Sequence, residues 1–130
     1  RFALIDVWPY VEYRTEENLT RAYEKFREIE DMAKKLVAND PHELAKCLKI
    51  RNVVQLAQTQ ALSAKERKES RLEHYRDDYP LMDNKNWLKW VVVKGTGDNM
   101  AVSIVDIPIE KWKYRPEPVV VDRLELRKDR

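Results

Sequence analysis

The 130-residue chain suits one domain, and its 43% hydrophobic residues are enough for a modest core and too many for a disordered tail. Twenty-five Lys and Arg against 23 Asp and Glu leave a formal net charge of +2, without the basic excess of a dedicated nucleic-acid binder. Two glycines cannot build a glycine-rich phosphate loop, one cysteine cannot make an internal disulfide, and no apolar run approaches the ~20 residues of a membrane span.

The opening "RFALIDVWPYVEYR" lacks the charged head, apolar middle and small-residue end of a signal peptide. Beginning at Arg1, it reads as cut from something longer. Pro9 interrupts a mixed pattern and predicts an extended lead-in over residues 1–14. Thr15 then caps "EENLTRAYEKFREIEDMAKKLVA", with acids in the first turn and Lys34 and Lys35 near the end, as the helix dipole prefers. Leu19, Ala22, Tyr23, Phe26, Ile29, Ala33, Leu36 and Val37 recur at helical spacing and form one apolar stripe.

Asp40, Pro41 and Glu43 restart the pattern with the signals of a helix N-terminus. From Leu44 to Ala64 the apolar residues cover more than one face. A helix apolar on two sides is sandwiched between partners, and the first helix can cover only one of them. The same reading carries this helix on toward residue 78, where Tyr79 and Pro80 turn the chain. Residues 15–80 are thus expected to be a helical domain, an antiparallel bundle of two long helices or more.

Residues 81–130 are read as a hairpin and C-terminal tail of the same domain. "LMDNKN" reads as a connector, "WLKWVVVK" and "MAVSIVDI" flank "GTGDN" as a β-hairpin, and a tail with three prolines is expected to be extended. The fold class is therefore mainly α with a small β appendage.

Candidate chemistry is sparse. His74, among Glu73, Arg76 and Asp78, could be a tuned acid–base group, but a histidine hydrogen-bonded at a helix end is the simpler reading. His42 reads as surface and Cys47 as a buried inert thiol. No metal set suggests itself. Lys65, Arg67, Lys68, Arg71 and Arg76 interleave with acids as intrahelical ion pairs would, which disfavours a phosphate grip. Of the four tryptophans, Trp87 and Trp90 are expected in the hairpin core.

Glu69, Ser70, Arg71, His74, Arg76, Asp78, Tyr79 and Pro80, then Asp83, Asn86, Trp87 and Lys89, fall in one gapless pattern. It resembles the E-S-R-G-x-H-x-R-x-D-[YF]-P and D-x-x-N-W-x-K segments of a known family. That family is the C-terminal domain of succinate dehydrogenase and fumarate reductase flavoprotein subunits, with L-aspartate oxidase and, more distantly, the adenylylsulfate reductase alpha subunit. "YRTEENL", "LKIRNVVQLAQTQALSAKERKESR" and "KYRPEP" are similar to its flanking segments, so the likeness covers roughly residues 11–118. Leu72 departs from it by standing where the family has glycine, and is expected to continue the helix.

The resemblance implies a flavin-dependent oxidoreductase whose FAD, catalytic arginine and histidines lie in a separate upstream domain. It assigns no catalytic, cofactor or metal residue here. Glu69, Ser70, Arg71, His74, Arg76, Asp78, Tyr79, Pro80 and Trp87 are expected to anchor this domain to the FAD-binding domain or to an iron–sulfur subunit. The setting implied is cytoplasmic, or the cytoplasmic face of a membrane through partner subunits. An adenylylsulfate-reductase-like parent and a free-standing helical interaction module remain the alternatives.

Overall fold

A computed structural model describes residues 7–122. Residues 1–6 of the expected lead-in and 123–130 of the expected tail lie outside the described residues. The lead-in is not extended where it is described: α1 spans Trp8–Glu12, with Pro9 in its first turn. Pro has no N–H to lose there, and its fixed φ already matches the helix.

α2 spans Glu16–Lys34 and α3 spans Pro41–Glu66. Each begins where its cap predicts. Thr15 Oγ1 accepts from Asn18 N–H at 3.1 Å, and Asp40 Oδ1 accepts from Glu43 N–H at 2.8 Å. Glu43 reaches back to the Asn39 N–H at 2.9 Å, one residue earlier than a capping box would place it. On α2, Leu19, Ala22, Phe26 and Ala33 are buried; on α3, Val54, Gln58 and Ala61 are.

The core joins Val7, Ala22, Phe26 and Ala61, ringed by Tyr10, Val11, Tyr23, Ile29 and Ala57. Burying Phe26 alone is worth about 1.5–3 kcal/mol. Lys65 Nζ lies 3.6 Å from Glu16 Oε1 at one end of the helix pair. Further along, the Gln58 amide donates to Glu30 Oε2 at 3.0 Å. The stripe ends earlier than its spacing implies. α2 stops at Lys34, so Leu36 and Val37 swing off the face into solvent, Val37 being 81% exposed.

α3 does not run on to residue 78. It stops at Glu66, and Arg67 is extended at φ −75°, ψ 104°. Residues 67–80 form a loop, because Glu69, Ser70 and Arg76 are each fully buried and need partners that a straight helix could not bring. Within it, Arg71 and His74 face each other as an isolated antiparallel bridge, with Leu72 at φ 50°. Leucine therefore does not continue the helix. It occupies a left-handed turn position that glycine would take without strain.

The hairpin forms as read. β2 (Lys89–Lys94) pairs antiparallel with β3 (Ala101–Asp106), with Val91 opposite Ile104 and Lys94 opposite Ala101. Gly95, at φ 95°, makes the turn; a Cβ there would sit 2.2 Å from the Asn99 carbonyl oxygen. The expected connector and extended tail contain a second sheet. β1 (Leu81–Asp83) pairs antiparallel with β4 (Val120–Asp122), so the returning tail satisfies backbone groups of both segments. Trp87 is half-buried and Trp90 is exposed, so the hairpin core expected around them does not enclose Trp90.

Candidate functional site

The loop after α3 gathers two ion clusters, each built on one fully buried side chain. The first centres on Glu69, whose carboxylate is fully buried and saturated. Its Oε1 accepts from Arg67 Nη1 at 2.5 Å and Arg71 Nε at 2.9 Å. Its Oε2 accepts from Arg71 Nη2 at 2.9 Å and the Asp83 N–H at 3.0 Å. Arg71 thus holds Glu69 with a bidentate fork, the geometry that suits guanidinium to carboxylate. It also donates to Asn84 Oδ1 at 2.8 Å, while Asn84 Nδ2 donates to the Glu117 carbonyl at 3.0 Å. Arg67 extends the cluster to the carbonyls of Trp87 and Lys89, and its guanidinium lies 5.7 Å from the Trp87 ring centroid. One buried acid therefore ties the end of α3 to both small sheets.

The second cluster centres on Arg76, also fully buried. Its Nη1 donates to the Lys65 and Ala64 carbonyls, which the end of α3 leaves unpaired. Its other edge forks onto Asp78, Nε to Oδ1 at 2.8 Å and Nη2 to Oδ2 at 2.6 Å, and reaches Glu16 Oε2 at 3.2 Å. Asp78 Oδ2 in turn accepts from the Glu16 N–H at 2.8 Å, at the start of α2. A cation meets the negative end of one helix dipole and an acid the positive end of the other. Burial pulls the Arg76 pKa down, but its bonds to Asp78 and Glu16 outweigh that and hold it above its usual value. Burial likewise pushes Asp78 up, and the Arg76 bond together with the Glu16 N–H brings it below the usual carboxylate range.

Ser70 lies between the clusters. Its hydroxyl donates to the Tyr79 carbonyl at 2.8 Å and accepts from the Arg76 N–H at 2.8 Å, while its own N–H bonds the Leu81 carbonyl. Tyr79 lies beneath the Arg76 guanidinium, 4.8 Å from ring centroid to Cζ, and Pro80 follows as the chain enters β1. His74 Nε2 lies 3.1 Å from the Arg67 carbonyl, which can only accept, so that nitrogen carries the proton. Burial lowers the His74 pKa, with Arg14, Arg67 and Arg76 adding to the effect against that hydrogen bond.

Glu69, Ser70, Arg71, His74, Arg76, Asp78, Tyr79, Pro80 and Trp87 thus all fall at this junction, whereas His42 and Cys47 lie on α3 away from it. Glu69, Ser70, Arg71, Arg76 and Asp78 form the bonded interior, His74 and Tyr79 its margin, Pro80 its exit and Trp87 its far wall. Sequence reading did not find Arg14 or Glu16. Arg14 Nη1 donates to the Glu73 carbonyl at 2.8 Å and its own carbonyl accepts from the Asp77 N–H at 3.0 Å. Partners so remote in sequence leave no spacing signal. Lys65, Arg67, Arg71 and Arg76, read as members of intrahelical pairs, are used across the fold instead. Cys47 is half-buried rather than buried.

The described residues contain no glycine-rich loop of the kind that cradles a dinucleotide's phosphates. The chain's two glycines are both consumed at the hairpin turn, Gly95 at φ 95° and Gly97 at φ 54°. Among the described residues no three His, Cys, Asp or Glu are grouped to hold a metal, and no helix is long and apolar enough to cross a membrane.

A family model described as fumarate reductase flavoprotein C-term matches residues 9–127. The chain belongs to this family. It is 36% identical over 90 residues to an uncharacterised FAD-dependent oxidoreductase of Methanocaldococcus jannaschii, covering 68% of this chain and 16% of that one. It is also similar to succinate dehydrogenase flavoprotein subunits. The Rickettsia bellii subunit is 34% identical over 82 residues, covering 59% of this chain and 14% of its own. The Bacillus subtilis subunit is 31% identical over 86 residues, covering 62% and 15%. In fold it resembles a variant of the FrdA chain of E. coli quinol fumarate reductase, with a TM-score of 0.70 at 24% identity, covering 83% of this chain and 19% of that one. The chain therefore spans less than a fifth of the length of these relatives.

Proposed function

We propose that this chain is the C-terminal helical domain of an FAD-dependent oxidoreductase of the fumarate reductase and succinate dehydrogenase type. Residues 15–80 would form its helical part, with α2 and α3 packed antiparallel, and residues 81–130 the hairpin and tail of the same domain. Its FAD and substrate site belong to the part of the protein outside these residues. The domain itself is structural. It braces the FAD-binding domain and presents surface to that domain or to an iron–sulfur subunit, in the cytoplasm or at the cytoplasmic face of a membrane.

One observation carries this reading. Glu69 and Arg76, the two fully buried ionisable side chains of the signature, have their bonds taken up within the chain. A catalytic acid, base or anion-binding arginine must keep an open direction toward substrate. The family match and the relatives' names support the flavoprotein parent.

Purified full-length protein tests the reading. It should show the visible absorption of a bound flavin, and residues 1–130 expressed alone should show no flavin binding by calorimetry. Full-length protein without flavin would leave only an interaction module.

A further inference from the structure

Part of the outer face of α3 is apolar and exposed among the described residues. Its inner face, Val54, Gln58 and Ala61, is buried in the fold. Leu48 and Leu56 are exposed on the other side, Leu56 by 67%, and with Ala45, Lys49, Asn52 and Val53 they line one shallow groove. Single exposed apolar residues need no explanation, but four lining one groove over three helical turns do.

The charge around that groove is one-sided. Between Glu43 and Glu66 the sequence has no acid, but it has Lys46, Lys49 and Arg51. All three are exposed, and among the described residues none makes an ion pair. On α2, by contrast, Arg21, Lys25 and Lys34 are paired with Glu17, Glu28 and Asp31. A surface with an apolar centre and unpaired cations is complementary to an apolar patch edged by carboxylates.

Charge also decides among occupants. A second copy would set the same three cations against themselves. Residues 123–130, "RLELRKDR", are net basic and repelled in the same way. A lipid surface calls for a broader apolar face, usually with aromatic residues; here Asn52 interrupts the groove and no aromatic residue joins it.

We infer that the outer face of α3 docks an acidic, apolar-centred surface supplied by the part of the same polypeptide outside these residues. This rests on the flavoprotein parent proposed above, whose relatives are about four times the length of this chain. The second apolar side of α3 is then the side facing that missing surface, and the two-sided pattern of its sequence follows.

Photo-cross-linking in the full-length protein tests this, with benzoylphenylalanine placed at Leu48 or at Leu56. The expected product is an intrachain link to a peptide outside residues 1–130 that contains both carboxylates and apolar residues. Reversing Lys46, Lys49 and Arg51 to Glu should lower its yield about tenfold. A link to α3 of a second copy, a link to a separate subunit, lipid-dependent protection on anionic phosphatidylserine vesicles, or no link at either position overturns the inference. Flavin absorbance of the same preparation separates the two readings. Flavin without the intrachain link sinks this inference alone, and the link without flavin sinks the parent reading alone.

Discussion

Arg76 forks onto Asp78 through Nε–Oδ1 at 2.8 Å and Nη2–Oδ2 at 2.6 Å, while its remaining nitrogen is bonded to the Lys65 carbonyl. Since Asp78 also accepts from the Glu16 N–H, this single pair joins the end of α3 to the start of α2. Loop, helix ends and signature are one construction.

Removing that cation should therefore be costly. Arg76→Ala leaves two carbonyls at the end of α3 and the part-exposed Asp78 carboxylate short of a partner, and is expected to cost about 1–3 kcal/mol. Arg76→Lys keeps the charge without the planar fork and should recover only part of the loss. Chemical denaturation of the full-length protein measures both. Equal stability of Arg76→Ala and wild type would mean that water replaces the guanidinium freely.

Leu72 offers a change in the opposite direction. At φ 50° and 76% exposed, it bears left-handed strain with little burial in return. Leu72→Gly should stabilise the protein by about 0.5–1 kcal/mol, the strain relieved less the entropy glycine adds to the unfolded chain. Leu72→Val should destabilise it, because a β-branched residue fits that conformation worse. A lower denaturation midpoint for Leu72→Gly would show that the leucine side chain is held by a surface outside this chain.

The helix pair makes a contrast between two apolar residues. Phe26, 6% exposed, faces Ala61 in the core, and Phe26→Ala should cost about 3–5 kcal/mol. Leu36, beyond the end of α2 and exposed, should cost under about 0.5 kcal/mol when changed to Ala. Comparable losses at the two sites would mean that the face has been misassigned.

Acid should weaken the joint through His74. Its pKa is lowered from an ordinary 6.5, first by burial and then by the charges of Arg14, Arg67 and Arg76. As pH falls, the unfolded chain takes up this proton before the folded protein does. The contribution of neutral His74 is thus full above its unfolded pKa and lost as pH drops from there through the folded value. Unfolding free energy measured against pH should fall across that window in wild type and fall less in His74→Gln. Parallel curves would assign the acid sensitivity to other groups, Asp78 among them at lower pH.

What could be read from sequence divides along a physical line. Thr15 and Asp40 mark helix starts because capping is a contact between near neighbours, and the hairpin is announced by β-branched runs around Gly95 and Gly97. The end of α3 was not legible. Charges from Lys65 to Asp78 stand at spacings that suit intrahelical pairs, yet Glu69 turns to Asp83, and Arg76 to Glu16. Nor could Val120–Asp122 be seen as the partner of Leu81–Asp83, since each run is short and the pairing is long-range. The signature residues were recognisable as a group only through their likeness to a family; their bonds explain why they stand together.

Arg71 and His74 decide whether this junction is structural or catalytic. Arg71→Ala removes the bidentate fork from the buried Glu69, leaving it Arg67 and the Asp83 N–H, and His74→Ala removes the bond to the Arg67 carbonyl. In full-length protein both variants should melt at lower temperature or assemble less completely, with turnover per correctly assembled, flavin-loaded molecule close to wild type. A variant that assembles normally, retains its flavin and melts like wild type, yet loses turnover about a thousandfold, would place these residues in the chemistry and contradict a structural joint.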